Sequence, residues 1–261
     1  MDHLVLKLVL TPLLIGAATL AGRRWGPAVS GWLVGLPLTS APIAFFLALQ
    51  DGVAFAAAAA VGILGGTLSQ AAFSLVYAGL APRESWMTCV IAGSGAFALS
   101  TAILDSLPLR LALLGPSVTA GLGLAVVLLR PVRGADVSRP DRPRPAWDLP
   151  ARMGAATGVV LLLTAGAPLL GARLTGLLAP YPIYAATLAG FAHRLEGPTA
   201  ARAVLRGLLL GLFAFAAFFW VLAVVLPHHG IVGGFAAATG AALAVHGASL
   251  RLVRRGPQRA S

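Results

Sequence analysis

Long apolar runs separated by short polar turns occupy nearly the whole chain. A helix that spans a bilayer needs about 20 mostly apolar residues. Segments of this kind lie at about 4–21, 27–50, 52–80, 85–105, 108–130, 151–170, 172–192, 203–226 and 230–250. The pattern predicts an all-α polytopic membrane protein with about nine transmembrane helices.

The composition supports this class and excludes several others. Hydrophobic residues make up 58% of the 261 residues and charged residues only 10%, against about 25% charged residues in soluble domains. The mean hydropathy is +0.89. These values exclude an ordinary cytosolic enzyme, a nucleic-acid-binding domain and a disordered chain. The net charge of +11 therefore indicates contact with membrane lipids rather than with nucleic acid.

The basic residues predict the orientation in the membrane. If the N-terminus lies outside, 16 of the 19 Lys and Arg residues fall in cytoplasmic segments, and only Lys7, Arg110 and Arg173 do not. Basic loops stay in the cytoplasm, so the expected topology is N-out and C-in, in a bacterial cytoplasmic membrane. The polar stretch 131–150 is rich in proline and arginine, which predicts an extended cytoplasmic linker.

An internal repeat divides the chain. Segments 26–52 and 171–197 align without gaps at an offset of 145 residues, with eight of 27 pairs identical; composition alone would give about three. We therefore expect a 4+1+4 arrangement. Its parts are a first four-helix repeat at 1–105, a connector helix at 106–130, the linker at 131–150, a second four-helix repeat at 151–254 and a cytoplasmic tail at 255–261. Five helices precede the second repeat, so it should be inverted in the membrane.

Prolines interrupt the second helix of each repeat. Proline removes a backbone donor and clashes with the preceding turn, and paired interruptions of this kind indicate a solute site near the bilayer midplane. A polar glutamine within helix three and a histidine within helix nine add to the site. The candidate substrate-binding residues are Pro37, Thr39, Ser40, Pro42, Gln70, Pro180, Tyr181, Pro182, Tyr184 and His246. The alternative is that these prolines and polar groups serve only packing.

Charged residues are confined to the predicted helix ends. Asp51, His193, Arg194 and Glu196 are the candidate gating residues, although turn and capping roles also explain them. Glycines within the helices, such as Gly62 and Gly66, allow close helix approach. Because no charge is predicted at mid-membrane, the expected solute is small and neutral, zwitterionic or largely apolar.

These features predict a secondary transporter, a carrier or exporter that works by alternating access. We expect no cofactor, no metal and no enzymatic activity. The expected partners are membrane lipids and a small-molecule solute, and association into a homo-oligomer stays open. The first alternative is a non-transporting assembly or scaffold subunit. The second is an intramembrane lipid-modifying enzyme, for which paired Asp-rich motifs and a His-Glu-x-x-His zinc motif are missing from the sequence.

Overall fold

The computed structural model describes residues 2–38, 40–107, 110–130, 147–158 and 180–254. All regular structure in these ranges is α-helical, which confirms the predicted all-α class. Several predictions fall outside them: Thr39, most of the linker 131–150, the tail 255–261, and parts of the predicted helices at 151–170 and 172–192.

Nine helices are described in this part of the chain. They are α1 (Asp2–Trp25), α2 (Pro27–Val34), α3 (Ser40–Gln50), α4 (Val53–Leu80), α5 (Trp86–Asp105), α6 (Leu111–Leu128), α7 (148–158), α8 (Ile183–Glu196) and α9 (Pro198–Arg254). Among the described residues, α4, α5, α6 and the Pro198–Leu250 part of α9 are long and apolar enough to cross a membrane.

The outer surface of the bundle is strongly apolar. Ile91 of α5 is 72% exposed, Leu113 of α6 is 67% exposed and Val232 of α9 is 84% exposed. Soluble proteins rarely expose so many large apolar side chains on several helices at once. Lipid chains are the environment that suits this surface, in agreement with a membrane protein.

Helix α9 folds back on itself at Gly230. That residue has φ 66° and ψ −173°, outside the helical range. Trp32 contacts both arms, because its backbone meets Gly211 and its ring stacks on His246. In a straight helix, at 1.5 Å per residue, these two α9 residues would lie about 50 Å apart. The arms 198–229 and 231–254 therefore form a hairpin, the arrangement predicted for 203–226 and 230–250.

The segment predicted as one helix at 27–50 is interrupted. Helix α2 ends at Val34 and α3 begins at Ser40. Pro37 lies between them, where its missing N–H prevents the helix from continuing, and its carbonyl accepts a hydrogen bond from the amide of Ala41, at 2.9 Å. Pro42, in contrast, lies in the first turn of α3, where a proline disturbs no helical hydrogen bond. Only Pro37 is part of the break.

Helix α8 begins after the sequence Pro180-Tyr181-Pro182 and ends at Glu196, four residues beyond the predicted end at 192. His193 and Arg194 therefore belong to its last turn, where positive charge is favourable near the helix C-terminus. Gly197 follows the last helical residue, and its φ of 95° ends the helix.

The positions 52 and 197, which the repeat pairs, have the same backbone conformation. Gly52 has φ 88° and ψ 166°, and Gly197 has φ 95° and ψ 177°. Each glycine directly precedes a long helix, α4 or α9. Residues with a side chain rarely adopt this positive φ, so the same backbone conformation explains why glycine occupies both positions.

Helices α2 and α9 pack backbone to backbone. Both carry a Gly-x-x-x-Gly pattern, Gly31 with Gly35 and Gly207 with Gly211. A β-carbon placed at Gly31 would overlap the carbonyl oxygen of Val204, and one placed at Gly207 would overlap the carbonyl oxygen of Ala28. Small residues at this spacing permit such approach in membrane helices. The repeat analysis does not predict this contact.

The contacts also give the relative directions of the helices. Arg23 and Gly16 of α1 lie beside Asp148 and Met153 of α7, so α1 and α7 are antiparallel. Helices α4 and α8 are parallel, with Gly66 beside Pro180 and Tyr77 beside His193.

Helix α2 and the first arm of α9 are parallel as well, with Gly31 beside Val204 and Gly35 beside Gly211. A single cleft contains Pro27 and Val204, near the starts of α2 and α9, together with Glu196 at the end of α8. Because α4 runs parallel to α8, α4 and the first arm of α9 point in opposite directions.

Candidate functional site

The observed break at Pro37 and the second break predicted at Pro180–Pro182 make matching contacts. A β-carbon placed at Gly35, beside the first break, would lie 2.5 Å from Cα of Gly211 in α9. A β-carbon placed at Gly66 in α4 would lie 2.5 Å from Cγ of Pro180, at the second break. The offset of 145 converts position 35 into 180 and position 66 into 211. Gly35 therefore meets α9, and Pro180 meets α4, at positions that the offset of 145 pairs.

Gln70 supports the second break. Its side-chain Nε2 donates a hydrogen bond to the Pro180 carbonyl, and the residue is only 7% exposed. Its Oε1 has no hydrogen-bond partner among the described residues, and neither has Oγ1 of Thr67, three residues earlier on α4. Buried polar atoms are normally paired. This side of the break thus offers acceptors that the described chain leaves unused.

Tyr181 is enclosed by α4 and α5. Its hydroxyl lies 2.7 Å from Oγ of Ser94, and its ring meets Phe73 and Phe97 edge-on, at centroid distances of 6.2 and 5.4 Å. Edge-to-face aromatic contacts of this kind stabilise packing. Its neighbour Pro182 is buried at the start of α8. Tyr181 therefore positions the second break and has its hydroxyl satisfied within the protein.

Tyr184 links α8 to α1. Its hydroxyl lies 3.1 Å from Oγ1 of Thr11, and the side chain is half-buried. At the first break, Pro37 and Ser40 are buried, whereas Thr39, the position that the repeat pairs with Tyr184, lies outside the described residues. The Tyr184 hydroxyl thus contacts α1, and its role in solute binding stays a prediction.

His246 packs against the first broken helix. Its ring stacks on the Trp32 ring of α2 at a centroid distance of 3.6 Å and an angle of 11°. The Trp32 Nε1 donates to Oγ of Ser249 at 2.8 Å. Neither ring nitrogen of His246 has a hydrogen-bond partner in the described part of the chain. The structure therefore associates His246 with α2 and the α9 hairpin.

A buried ionic cluster lies at one end of the bundle. The Asp148 carboxylate is fully buried and accepts from Nη2 of Arg23 at 3.0 Å and from Nε of Arg152 at 2.7 Å. The Arg152 guanidinium also lies 5.2 Å from the centroid of the Phe191 ring in α8. The cluster borders a cleft that Glu196 also lines. It joins α1 to α7 by ion pairs and reaches α8 through the contact of Arg152 with Phe191.

The sequence interpretation does not single out this cluster. It places Asp148 in the extended linker 131–150, but α7 already begins at 148. A signal was available, since Asp148 and Arg152 have the i, i+4 spacing of a helical ion pair. The third member, Arg23, comes from a distant part of the chain, and only the packing of α1 on α7 brings it there.

The four predicted gating residues have different surroundings. Glu196 lines the ionic cleft. His193 lies with Nδ1 at 3.4 Å from the Tyr77 hydroxyl. Asp51 and Arg194 are exposed and are not among the residues that line the cleft. Asp148 and Arg152 are buried, and Asp148 contacts the partly exposed Arg23 of α1.

Comparison with known proteins finds no matching family model, no matching curated protein and no matching solved structure. The function therefore has to be inferred from the breaks, contacts and charges of this chain.

Proposed function

We propose that this chain is a secondary transporter, a carrier or exporter of a small neutral, zwitterionic or largely apolar solute. It consists of inverted four-helix repeats at 1–105 and 151–254 with nine transmembrane helices, N-out and C-in, in a bacterial cytoplasmic membrane. One observation carries the proposal: Gly35, beside the break at Pro37, contacts α9, and Pro180, at the predicted second break, contacts α4, at positions that the offset of 145 pairs. Paired broken helices in inverted repeats are typical of carriers.

The helix directions support the inversion. Helices α1 and α7 hold the first place in the two repeats and are antiparallel. Helix α4 and the first arm of α9 hold the third place and also point in opposite directions. A two-fold axis in the membrane plane relates elements in this way, and rocking about such an axis opens a central site to each side in turn.

The polar groups near the breaks suit an uncharged or zwitterionic solute. Gln70 Oε1 and Thr67 Oγ1 are unused acceptors within the described chain, and Tyr184 adds a hydroxyl. The buried ion pairs of Asp148 lie at the end of the bundle instead. Hydrogen bonds from a solute would satisfy groups whose burial is otherwise costly.

We expect the loops to be labelled from opposite faces. In a Cys89→Ala background, Glu84→Cys in the α4–α5 turn should react with a membrane-impermeant maleimide added to the cytoplasmic face. His229→Cys, at the tip of the α9 hairpin, should react only from the outer face. Both positions are exposed. Labelling of both cysteines from the same face would contradict the inverted topology.

Removing the Tyr184 hydroxyl should weaken solute binding about tenfold, the value of one net hydrogen bond of about 1.4 kcal/mol. Thermal unfolding in detergent, with panels of amino acids, nucleosides, small metabolites and apolar antibiotics, identifies the solute, because a ligand of the folded state raises Tm. Titration of the stabilising solute then compares wild type with Tyr184→Phe and Thr39→Ala.

Thr11→Val is the matched control for Tyr184→Phe, since it removes the same Thr11–Tyr184 hydrogen bond but leaves the tyrosine hydroxyl. Equal loss of affinity in both variants would mean that the hydroxyl serves packing alone.

The stabilising solute must also cross proteoliposome membranes that contain the protein. A folded protein that binds a fixed partner and moves no solute would favour the scaffold alternative, and turnover of a lipid in detergent would favour the enzyme.

A further inference from the structure

The ionic cluster connects the first helices of the two repeats. Arg23 lies in the last turn of α1, and Asp148 and Arg152 lie in the first turns of α7. The side chains of Asp148 and Arg152 are 1% and 6% exposed, whereas that of Arg23 is 31% exposed. The link is therefore buried on the α7 side and partly exposed at Arg23, and it lies where the first helices of the two proposed repeats meet.

A buried ion pair by itself adds little to the free energy of folding. Its mutual attraction roughly offsets the loss of hydration, and well-packed apolar residues often stabilise the same site better. The comparison between ion pairs and apolar contacts differs for a cleft that must open and close reversibly. An apolar contact loses its burial when water enters, whereas separated ionic groups recover their hydration. A cluster of charges can thus hold a cleft shut and still leave the closed and open states close in free energy.

A small cleft lies beside the cluster, and several helices line it. Thr19 and Ser30 line it from α1 and α2, Ala192 and Glu196 line it from α8, and Val204 lines it from α9. Oγ1 of Thr19 is buried and has no hydrogen-bond partner among the described residues. With α7, five helices thus meet at a polar cleft at one end of the bundle, the end that carries the basic residues predicted to be cytoplasmic.

We propose that Asp148, with Arg23 and Arg152, is the latch that closes the cytoplasmic side of the carrier. This inference rests on the proposed function. In the closed state the carboxylate bridges α1 and α7, and in the open state water hydrates the three separated charges. Loss of the carboxylate removes the group that Arg23 and Arg152 share and that joins α1 to α7, so the open state becomes more populated.

The test measures access to the cleft without any solute. Ser30→Cys in a Cys89→Ala background provides the reporter, because Ser30 lines the cleft and is 4% exposed. Inverted membrane vesicles, which present the cytoplasmic face, are treated with a cationic, membrane-impermeant methanethiosulfonate. Asp148→Asn should raise the labelling rate at least tenfold. Electrostatic attraction cannot produce this rise, because the substitution makes the cleft more positive and so repels the reagent.

Two variants serve as controls. Asp148→Glu keeps the charge and should keep labelling slow. Glu84→Gln removes one exposed carboxylate from the α4–α5 turn, away from the residues that line the cleft, and should have no effect. A separate Asp148→Asn protein that retains Cys89 reports on general loosening, because this native cysteine is fully buried in α5.

Unchanged labelling of Ser30→Cys in Asp148→Asn would overturn the latch. Faster labelling of both Ser30→Cys and the native Cys89 would also overturn it, because the carboxylate would then hold the whole fold together. Faster labelling from the outer face would overturn the assignment to the cytoplasmic side. Labelling needs no solute, so the test of the latch does not depend on transport. Unchanged labelling in a protein that still transports would overturn only the latch. Faster labelling in a protein that moves no solute would overturn only the proposed function.

Discussion

Gly207→Ala should destabilise the protein by about 3 kcal/mol or more, the upper part of the range for overpacked sites. The new methyl group would overlap the carbonyl oxygen of Ala28 in α2. Backbone cannot rotate away as a flexible side chain can, so α2 and α9 must separate. Thermal unfolding in detergent, followed by tryptophan fluorescence, should show Tm lowered by roughly 6–12 °C, or no folded protein at all.

Gly62→Ala is the matched control for this change. The repeat pairs Gly62 with Gly207, but Gly62 is exposed, and a β-carbon there would meet no atom within 4 Å. Alanine has the higher helix propensity, by up to about 1 kcal/mol, so Tm should stay unchanged or rise. Equal destabilisation by both substitutions would show that the backbone contact between α2 and α9 is not what makes Gly207 necessary.

Gln70→Leu should cost about 1–3 kcal/mol, the desolvation penalty of a buried carbonyl that loses its hydrogen bond. The carbonyl is that of Pro180, which receives its hydrogen bond from the Gln70 amide. Because Pro180 begins the second break, we also expect loss of the solute-dependent rise in Tm. Chemical unfolding measures the first effect, and solute titration of the folded variant measures the second.

Ser74→Ala is the control that shows whether loss of any buried polar side chain of α4 lowers both stability and solute binding. Ser74 is fully buried one turn further along the helix, and its hydroxyl donates only to the Gln70 backbone carbonyl of its own helix, at 2.8 Å. Its loss should cost less than about 1 kcal/mol and leave solute binding intact. A Gln70→Leu protein as stable as Ser74→Ala, with full solute binding, would remove Gln70 from the site.

The break in helix two shows how far local sequence rules reach. Two prolines in one apolar run predict an interruption, and the structure has one at Pro37. Pro42 lies only five residues further on, yet it is part of the first turn of α3 and does not interrupt that helix. The difference depends on which residue starts the first turn of α3, and the sequence pattern does not specify that position.

The glycines show the same limit for packing. Gly62 and Gly66 are both predicted to permit close helix approach, but only Gly66 contacts another element, at Pro180. The tightest approach in the described structure, between the Gly31 and Gly207 regions, is not predicted. A small residue permits close contact but does not specify the partner, because the partner depends on how the other helices are arranged.

The sequence by itself determined the helical membrane class, the approximate ends of α4 and α5, the interruption at Pro37 and the paired glycines at 52 and 197. These features depend on hydrophobicity, local backbone preference and a repeat, which are properties of neighbouring or aligned residues. Only the tertiary structure decided that Gln70 bonds the Pro180 carbonyl, that α2 touches α9 through glycine backbone and that Arg23 meets Asp148. Such contacts join residues more than 100 positions apart, and their energies depend on burial that exists only after the helices have packed.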